Sequence, residues 1–120
     1  MKAQALSDLL EQFASLNGLM GCAVLDAETG MAWKAAGDAR SVQSVCEAAT
    51  DYWRLHRRQE REFDSVLGPL VMQMIFHSRG RVTIVPCSTS LLFVCLTREP
   101  DKVDWSAWKQ KLAELKNLAR

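Results

Sequence analysis

The stretch PLVMQMIFHSRGRVTIVPCSTSLLFVCLT, residues 69–97, decides the fold. It holds three closely spaced apolar runs, Pro69–His77, Arg81–Cys87 and Leu91–Thr97. Only Ser78-Arg79-Gly80 and Ser88-Thr89-Ser90 interrupt them, and both breaks are short enough for hairpins. Three consecutive antiparallel strands are the expectation. Leu70-Val71-Met72-Gln73-Met74-Ile75-Phe76 is apolar at nearly every position rather than every second one, which predicts a strand covered on both faces. Lying between a helix and two hairpins, it is also a candidate sheet edge. An apolar, unprotected edge invites pairing with its equivalent in a second chain.

Upstream of this stretch the periodicity is helical. Val42, Val45, Cys46, Ala49, Trp53 and His56 recur at three- and four-residue spacing, with Asp38 as N-cap. This helix is expected to fray near Glu62, with Asp64-Ser65 opening the connection. Before it, Leu19–Leu25 and Met31–Ala36 read as two strands joined by Asp26-Ala27-Glu28-Thr29-Gly30, where Gly30 supplies positive φ. The first helix carries Leu6, Leu9, Leu10, Phe13 and Leu16 as one stripe, with Ser7, Asp8 and Glu11 near its start and Asn17-Gly18 as its stop. Downstream, Glu99-Pro100 ends the last strand. Asp101 or Asp104 caps a terminal helix whose stripe is Trp105, Trp108, Leu112, Leu115 and Leu118 or Ala119. The order α-β-β-α-β-β-β-α predicts one α+β domain over residues 1–120, a five-stranded antiparallel sheet with three helices. The first and third helices are expected on one face and the second on the other. One helix covers little of a five-stranded sheet, so a second copy is the natural completion of that layer.

Composition narrows the function. The 120 residues are 48% apolar and 24% charged, an ordinary globular balance, with a formal net charge of only +1. Such neutrality advertises neither nucleic acid nor an acidic membrane. No apolar run reaches the length of a membrane helix, and the opening residues lack a secretory pattern, so membrane insertion is not expected and a cytoplasmic setting is. Cys22, Cys46, Cys87 and Cys95 are widely spaced, and neither His56 nor His77 stands at ligand spacing from them. They read as reduced thiols behaving as small hydrophobes, with no metal site. The sequence contains no nucleophile elbow, P-loop, zincin or dinucleotide motif, so neither a catalytic residue nor a cofactor site is assigned. His77-Ser78 lacks a third group to orient a base.

One charge cluster stands out. Arg54, Arg57, Arg58 and Arg61 line up along the second helix, interrupted by Glu60 and Glu62. They read either as a solvated helix end that complements the C-terminal dipole or as a docking patch for an acidic protein surface. Trp53, Trp105 and Trp108 read as core, whereas Trp33 stands in a short strand and is either cover or surface.

The order of elements resembles the Roadblock / dynein light-chain domain family over about Leu6–Leu118. Gly18-Leu19-Met20-Gly21-Cys22-Ala23-Val24-Leu25-Asp26 with Gly30 is similar to the family's first hairpin. Leu67-Gly68-Pro69-Leu70, a strand, Gly80, a strand and Leu91-Leu92-Phe93-Val94 are similar to its second half. The resemblance implies a non-enzymatic homodimer in which second helices pack antiparallel and third strands pair. It would place Val42, Val45, Cys46, Ala49, Trp53, Met72 and Met74 at or near the seam. It also implies a partner, a small Ras-like GTPase, which bacterial members meet in gliding or polarity systems. Two departures stand beside it: Thr97–Lys102 lacks the asparagine–leucine–glycine phrase often found before the final helix, and the second helix ends unusually rich in arginine. The alternative is a small-ligand sensor or structural scaffold of similar fold, the sensor using a pocket near Trp33, Cys22 and Cys87.

Overall fold

A computed structural model describes residues 3–119, with Ala39 by its backbone alone. Its elements are α1 (Ala3–Ala14), β1 (Leu19–Asp26), β2 (Ala32–Gly37), α2 (Ala39–Leu67), β3 (Gln73–His77), β4 (Gly80–Pro86), β5 (Leu91–Thr97) and α3 (Trp105–Leu118), with a 3-10 turn at Pro100–Lys102 before α3. The strands form one sheet in the order β2-β1-β5-β4-β3, every neighbour antiparallel. The central strand β5 is buried at all its positions, so it is apolar throughout rather than alternating.

Two cores sandwich this sheet. On one face, Leu6, Leu9, Leu10 and Phe13 of α1 and Trp108, Leu112 and Leu115 of α3 pack on Cys22, Val24, Phe93 and Cys95. Phe13, Phe93 and Trp108 meet there, with ring centroids 4.7 Å apart for Phe13–Phe93 and 6.2 Å for Phe13–Trp108. Edge-on and tilted ring pairs of this kind add to simple area burial. On the other face, Val42, Cys46, Ala49 and Trp53 of α2 pack on Ala23, Leu25, Ile84, Leu92 and Val94. The division of the helices between the faces is the one the periodicity predicts.

The close seating of α2 has a local cause. Gly21 and Gly37 face one another across β1 and β2. A Cβ on Gly21 would stand 2.5 Å from the Ala36 carbonyl oxygen and 2.7 Å from a Val42 methyl. Only hydrogen at that point lets Val42 settle on the strand. Turn chemistry fixes the adjoining hairpin. Asp26 Oδ1 accepts from the backbone N–H groups of Glu28 and Thr29, and Gly30 takes φ 76°.

Several boundaries differ from expectation. The helix α2 does not fray near Glu62 but runs to Leu67, because Glu62–Leu67 contains no breaker and Gly68, at φ 80°, is the first residue to end it. Strand β3 begins at Gln73 rather than Pro69, where its pairing with Ile84 of β4 starts. The first helix starts at Ala3, which leaves Ser7, Asp8 and Glu11 inside it rather than at its cap. Gly18 is not its C-cap; its carbonyl oxygen accepts from the N–H groups of Arg98 and Glu99 beyond β5. Of the two candidate caps for α3, Asp104 accepts from the Ala107 N–H, while Asp101 lies in the 3-10 turn.

Candidate protein interaction surface

The strand that prompted the expectation of two covered faces is an edge, and it is not covered. Alternation along β3 turns Ile75 toward the α2 core and Met74 and Phe76 to the opposite face. Met74 is 41% and Phe76 70% exposed. Phe76 is held by Arg81, whose guanidinium carbon lies 4.6 Å from its ring centre and 5.7 Å from that of Trp105. This stack stiffens the outer end of the sheet with a cation–π contact of about 0.5–1 kcal/mol.

Helix α2 presents two chemically distinct flanks. Val45, Tyr52, Leu55, Phe63 and Val66, spaced by seven, three, eight and three residues, share one of them. All five are exposed, Leu55 at 49% and Phe63 at 50%. Between this flank and β3 runs a groove of about 530 Å³, bounded by Tyr52, Leu55, Phe63 and Leu67 on the helix side and by Val71 and Ile75 on the strand side. Monomeric soluble proteins rarely leave a contiguous apolar surface of this kind uncovered.

Of the seven residues expected at or near a seam, Val42, Cys46, Ala49 and Trp53 lie on the inward face of α2. Each is buried against this chain's own sheet, at 8% exposure or less. Val45 and Met74 are exposed. Met72 is half-buried against the core under α1 and α3. Tyr52, Leu55 and Phe63, apolar and exposed, were not singled out because the inward stripe of α2 is the stronger pattern. Their own spacing was the available signal.

The opposite flank of α2 is basic. Arg54 Nη1 lies 2.8 Å from Asp51 Oδ1, and its Nη2 donates to the Glu28 carbonyl oxygen. Arg57 Nε lies 3.3 Å from Glu60 Oε2. Arg58 and Arg61 are exposed and make no ion pair with a described residue. Arg54, Arg57 and Arg58 border a hollow of about 560 Å³ with Asp26 and Glu28 of the first hairpin and Thr89 and Ser90 of the β4–β5 turn. Arg61 lies one turn beyond Arg57, outside that hollow.

Among the described residues the remaining candidate groups stand apart from one another. Among the described residues there is no cluster of three or more metal-ligating side chains, and no helix is long and apolar enough to cross a membrane. The four cysteines are free thiols. Burial pushes Cys46 and Cys95 up to about 12 and Cys87 to about 11, and lifts Cys22, which burial and then its cross-strand neighbour Cys95 affect, well above the ordinary range. They are therefore protonated and unreactive at neutral pH. His77 is exposed at the β3–β4 turn. The pocket imagined near Trp33, Cys22 and Cys87 does not form. Trp33 is exposed at a bulge on the edge strand β2, Cys22 is in the core, and Cys87 lines a groove with Pro86 and Thr89.

No family model and no curated protein matches the chain by sequence. Solved structures do match by shape. A Roadblock/LC7 domain from Streptomyces avermitilis aligns over 95% of this chain and 93% of its own, with a TM-score of 0.72 at 13% identity. MglB of Myxococcus xanthus aligns over 98% and 93%, with a TM-score of 0.71 at 6% identity. The gliding protein MglB of Thermus thermophilus aligns over 98% and 93%, with a TM-score of 0.72 at 10% identity. At these identities the likeness is one of architecture, and it spans the sheet and all three helices. The chain has the Roadblock/LC7 fold.

Proposed function

We propose that this chain is a non-enzymatic, dimeric interaction module of the Roadblock type that regulates or scaffolds a small Ras-like GTPase in the cytoplasm. The observation that carries the reading is the uncovered apolar surface formed by Val45, Tyr52, Leu55 and Phe63 of α2 beside the open edge β3. A second copy related by a two-fold axis would set the same flank against itself and offer a matching strand edge. The architectural likeness to two MglB proteins, one of them described as a gliding protein, supports the link to a GTPase system.

The test has two stages. Mass in solution is measured by light scattering for the wild type and for Met74→Arg, which sets a charge at the edge strand. A wild-type dimer that the substitution splits supports the seam; a wild-type monomer at high concentration removes it. Nucleotide hydrolysis and exchange by a small Ras-like GTPase from the same genome are then followed with and without the protein. A changed rate supports regulation, and unchanged rates together with no co-migration remove the GTPase as partner.

A further inference from the structure

We propose that the basic flank of α2, Arg54, Arg57, Arg58 and Arg61, docks an acidic, Asp/Glu-rich segment of a partner protein on a surface separate from the apolar flank. The inference rests on the reading of this chain as an interaction module and names the chemistry of one of its contacts.

Charge complementarity carries the argument. The whole chain is nearly neutral, at a formal +1, so four arginines within eight residues are a local feature rather than part of a general basic field. Two of them are held in place: Asp51 and the Glu28 carbonyl oxygen fix Arg54, and Glu60 fixes Arg57. The other two, Arg58 and Arg61, are exposed and make no ion pair with a described residue. Like charges at this spacing on a helix are mildly destabilising, and the ion pairs with Asp51 and Glu60 offset this for Arg54 and Arg57 but not for Arg58 and Arg61. Some of the nearby acids are engaged, while Glu28 at the rim of the hollow and Glu62 make no ion pair with a described residue. Asp26 Oδ1 accepts from two backbone N–H groups, and Glu47 Oε2, further back along the helix, accepts from the Ala32 N–H. The hollow beside Arg54, Arg57 and Arg58 adds the hydroxyl groups of Thr89 and Ser90 at its rim, further donors for a carboxylate.

A second copy of this chain does not fit there. An isologous contact centred on Arg58 and Arg61 would bring arginine against arginine, a repulsion that opposes self-association. The occupant is therefore a different chain carrying the opposite charge. Arginine forks engage carboxylates in pairs, which gives such a contact direction as well as attraction.

The test uses the full chain and a fluorescein-labelled peptide of alternating Glu and Ser, with a Gln-for-Glu peptide as control, read by fluorescence anisotropy at two salt concentrations. The wild type is expected to bind the Glu peptide, more weakly at higher salt, and to ignore the Gln peptide. Arg58→Glu/Arg61→Glu is expected to weaken binding about tenfold or more. Arg79→Glu/Arg98→Glu, the same change of charge at exposed sites elsewhere, is expected to leave it within about threefold. Should the first pair of substitutions disturb folding, Arg58→Gln/Arg61→Gln is expected to weaken binding in the same direction. Equal losses in both charge-reversed variants, absence of wild-type binding, or tighter binding of a single-stranded oligonucleotide than of the peptide would each overturn the proposal. Light scattering on the same samples separates the two readings. Lost peptide binding with the dimer intact overturns only the docking surface, and a monomer that still binds the peptide overturns only the dimer.

Discussion

Replacing Leu55 by glutamate is expected to divide the dimer while leaving the fold intact. Val45, Tyr52, Leu55, Phe63 and Met74 are each between 38% and 50% exposed. Full burial of one large apolar side chain is worth about 1.5–3 kcal/mol, so covering the remaining half yields about 1 kcal/mol. A two-fold seam uses each residue twice, giving on the order of 10 kcal/mol in total from these side chains. Loss of translational and rotational freedom opposes this with about 4–15 kcal/mol, which leaves the seam near balance and sensitive to single changes. Leu55→Glu removes about 1 kcal/mol of burial in each protomer. It also sets a carboxylate in a groove that already holds Asp64, whose Oδ1 is buried without a partner, and that is lined by no lysine or arginine. With partial escape of the charge to water, the combined effect is about 4–6 kcal/mol over two copies, a thousandfold or more in dissociation constant. Leu55 is half exposed and glutamate is a good helix former, so the thermal midpoint of the separated chain is expected to move by only a few degrees. Light scattering over a concentration series reads the result. The wild type is expected at twice the 13.5 kDa chain mass and the variant at the chain mass. A wild type that stays at the chain mass, or a folded Leu55→Glu that keeps the dimer mass and affinity, would refute the reasoning.

Gly21→Ala is expected to destabilise the chain by about 2–3 kcal/mol, since its methyl would overlap the Ala36 carbonyl oxygen and Val42 and would lift α2 from the sheet. Thermal unfolding by circular dichroism should show a midpoint lower by roughly 6–15 °C, and a shift under about 2 °C would contradict the close seating of α2. Alkaline pH should also destabilise the fold. The buried thiols keep their protons in the native state, Cys46 and Cys95 up to about 12, whereas an unfolded thiol loses its proton near pH ~8.5. The unfolded chain then binds fewer protons, so this contribution is complete below that pH and is lost as pH rises toward the folded values. Urea unfolding at pH 8 and pH 10 should show a loss smaller by about 2 kcal/mol in Cys46→Ala than in the wild type; equal losses would remove Cys46 from the account.

Much of this protein was legible because period and punctuation agree. The stripe Leu6, Leu9, Leu10, Phe13 has one spacing and one inward face, and the hairpin Asp26–Gly30 has the residues its turn needs. The uniform apolarity of Leu91–Thr97 was a true signature of a strand buried on both faces, as β5 is. The same pattern in Leu70–Phe76 was not, and the difference lies outside the local sequence. Both runs are apolar on each side, but β5 lies between β1 and β4 under two cores, whereas β3 is the last strand of the sheet. Periodicity reports that a residue avoids water; it does not report which chain covers it.

The same distinction divides α2. Sequence alone determined that Val42, Val45, Cys46, Ala49 and Trp53 form an apolar face, and it placed four arginines on the helix. Only the tertiary structure decided that Val42, Cys46, Ala49 and Trp53 are spent on this chain's own sheet, while Val45, Tyr52, Leu55 and Phe63 remain outside. It also decided that Arg54 and Arg57 have carboxylate partners within a turn and that Arg58 and Arg61 do not. Local preference follows from side-chain chemistry and spacing along one helix or strand. The exposure of a given face depends on where the other elements stop, and that is set by packing between residues far apart in the chain.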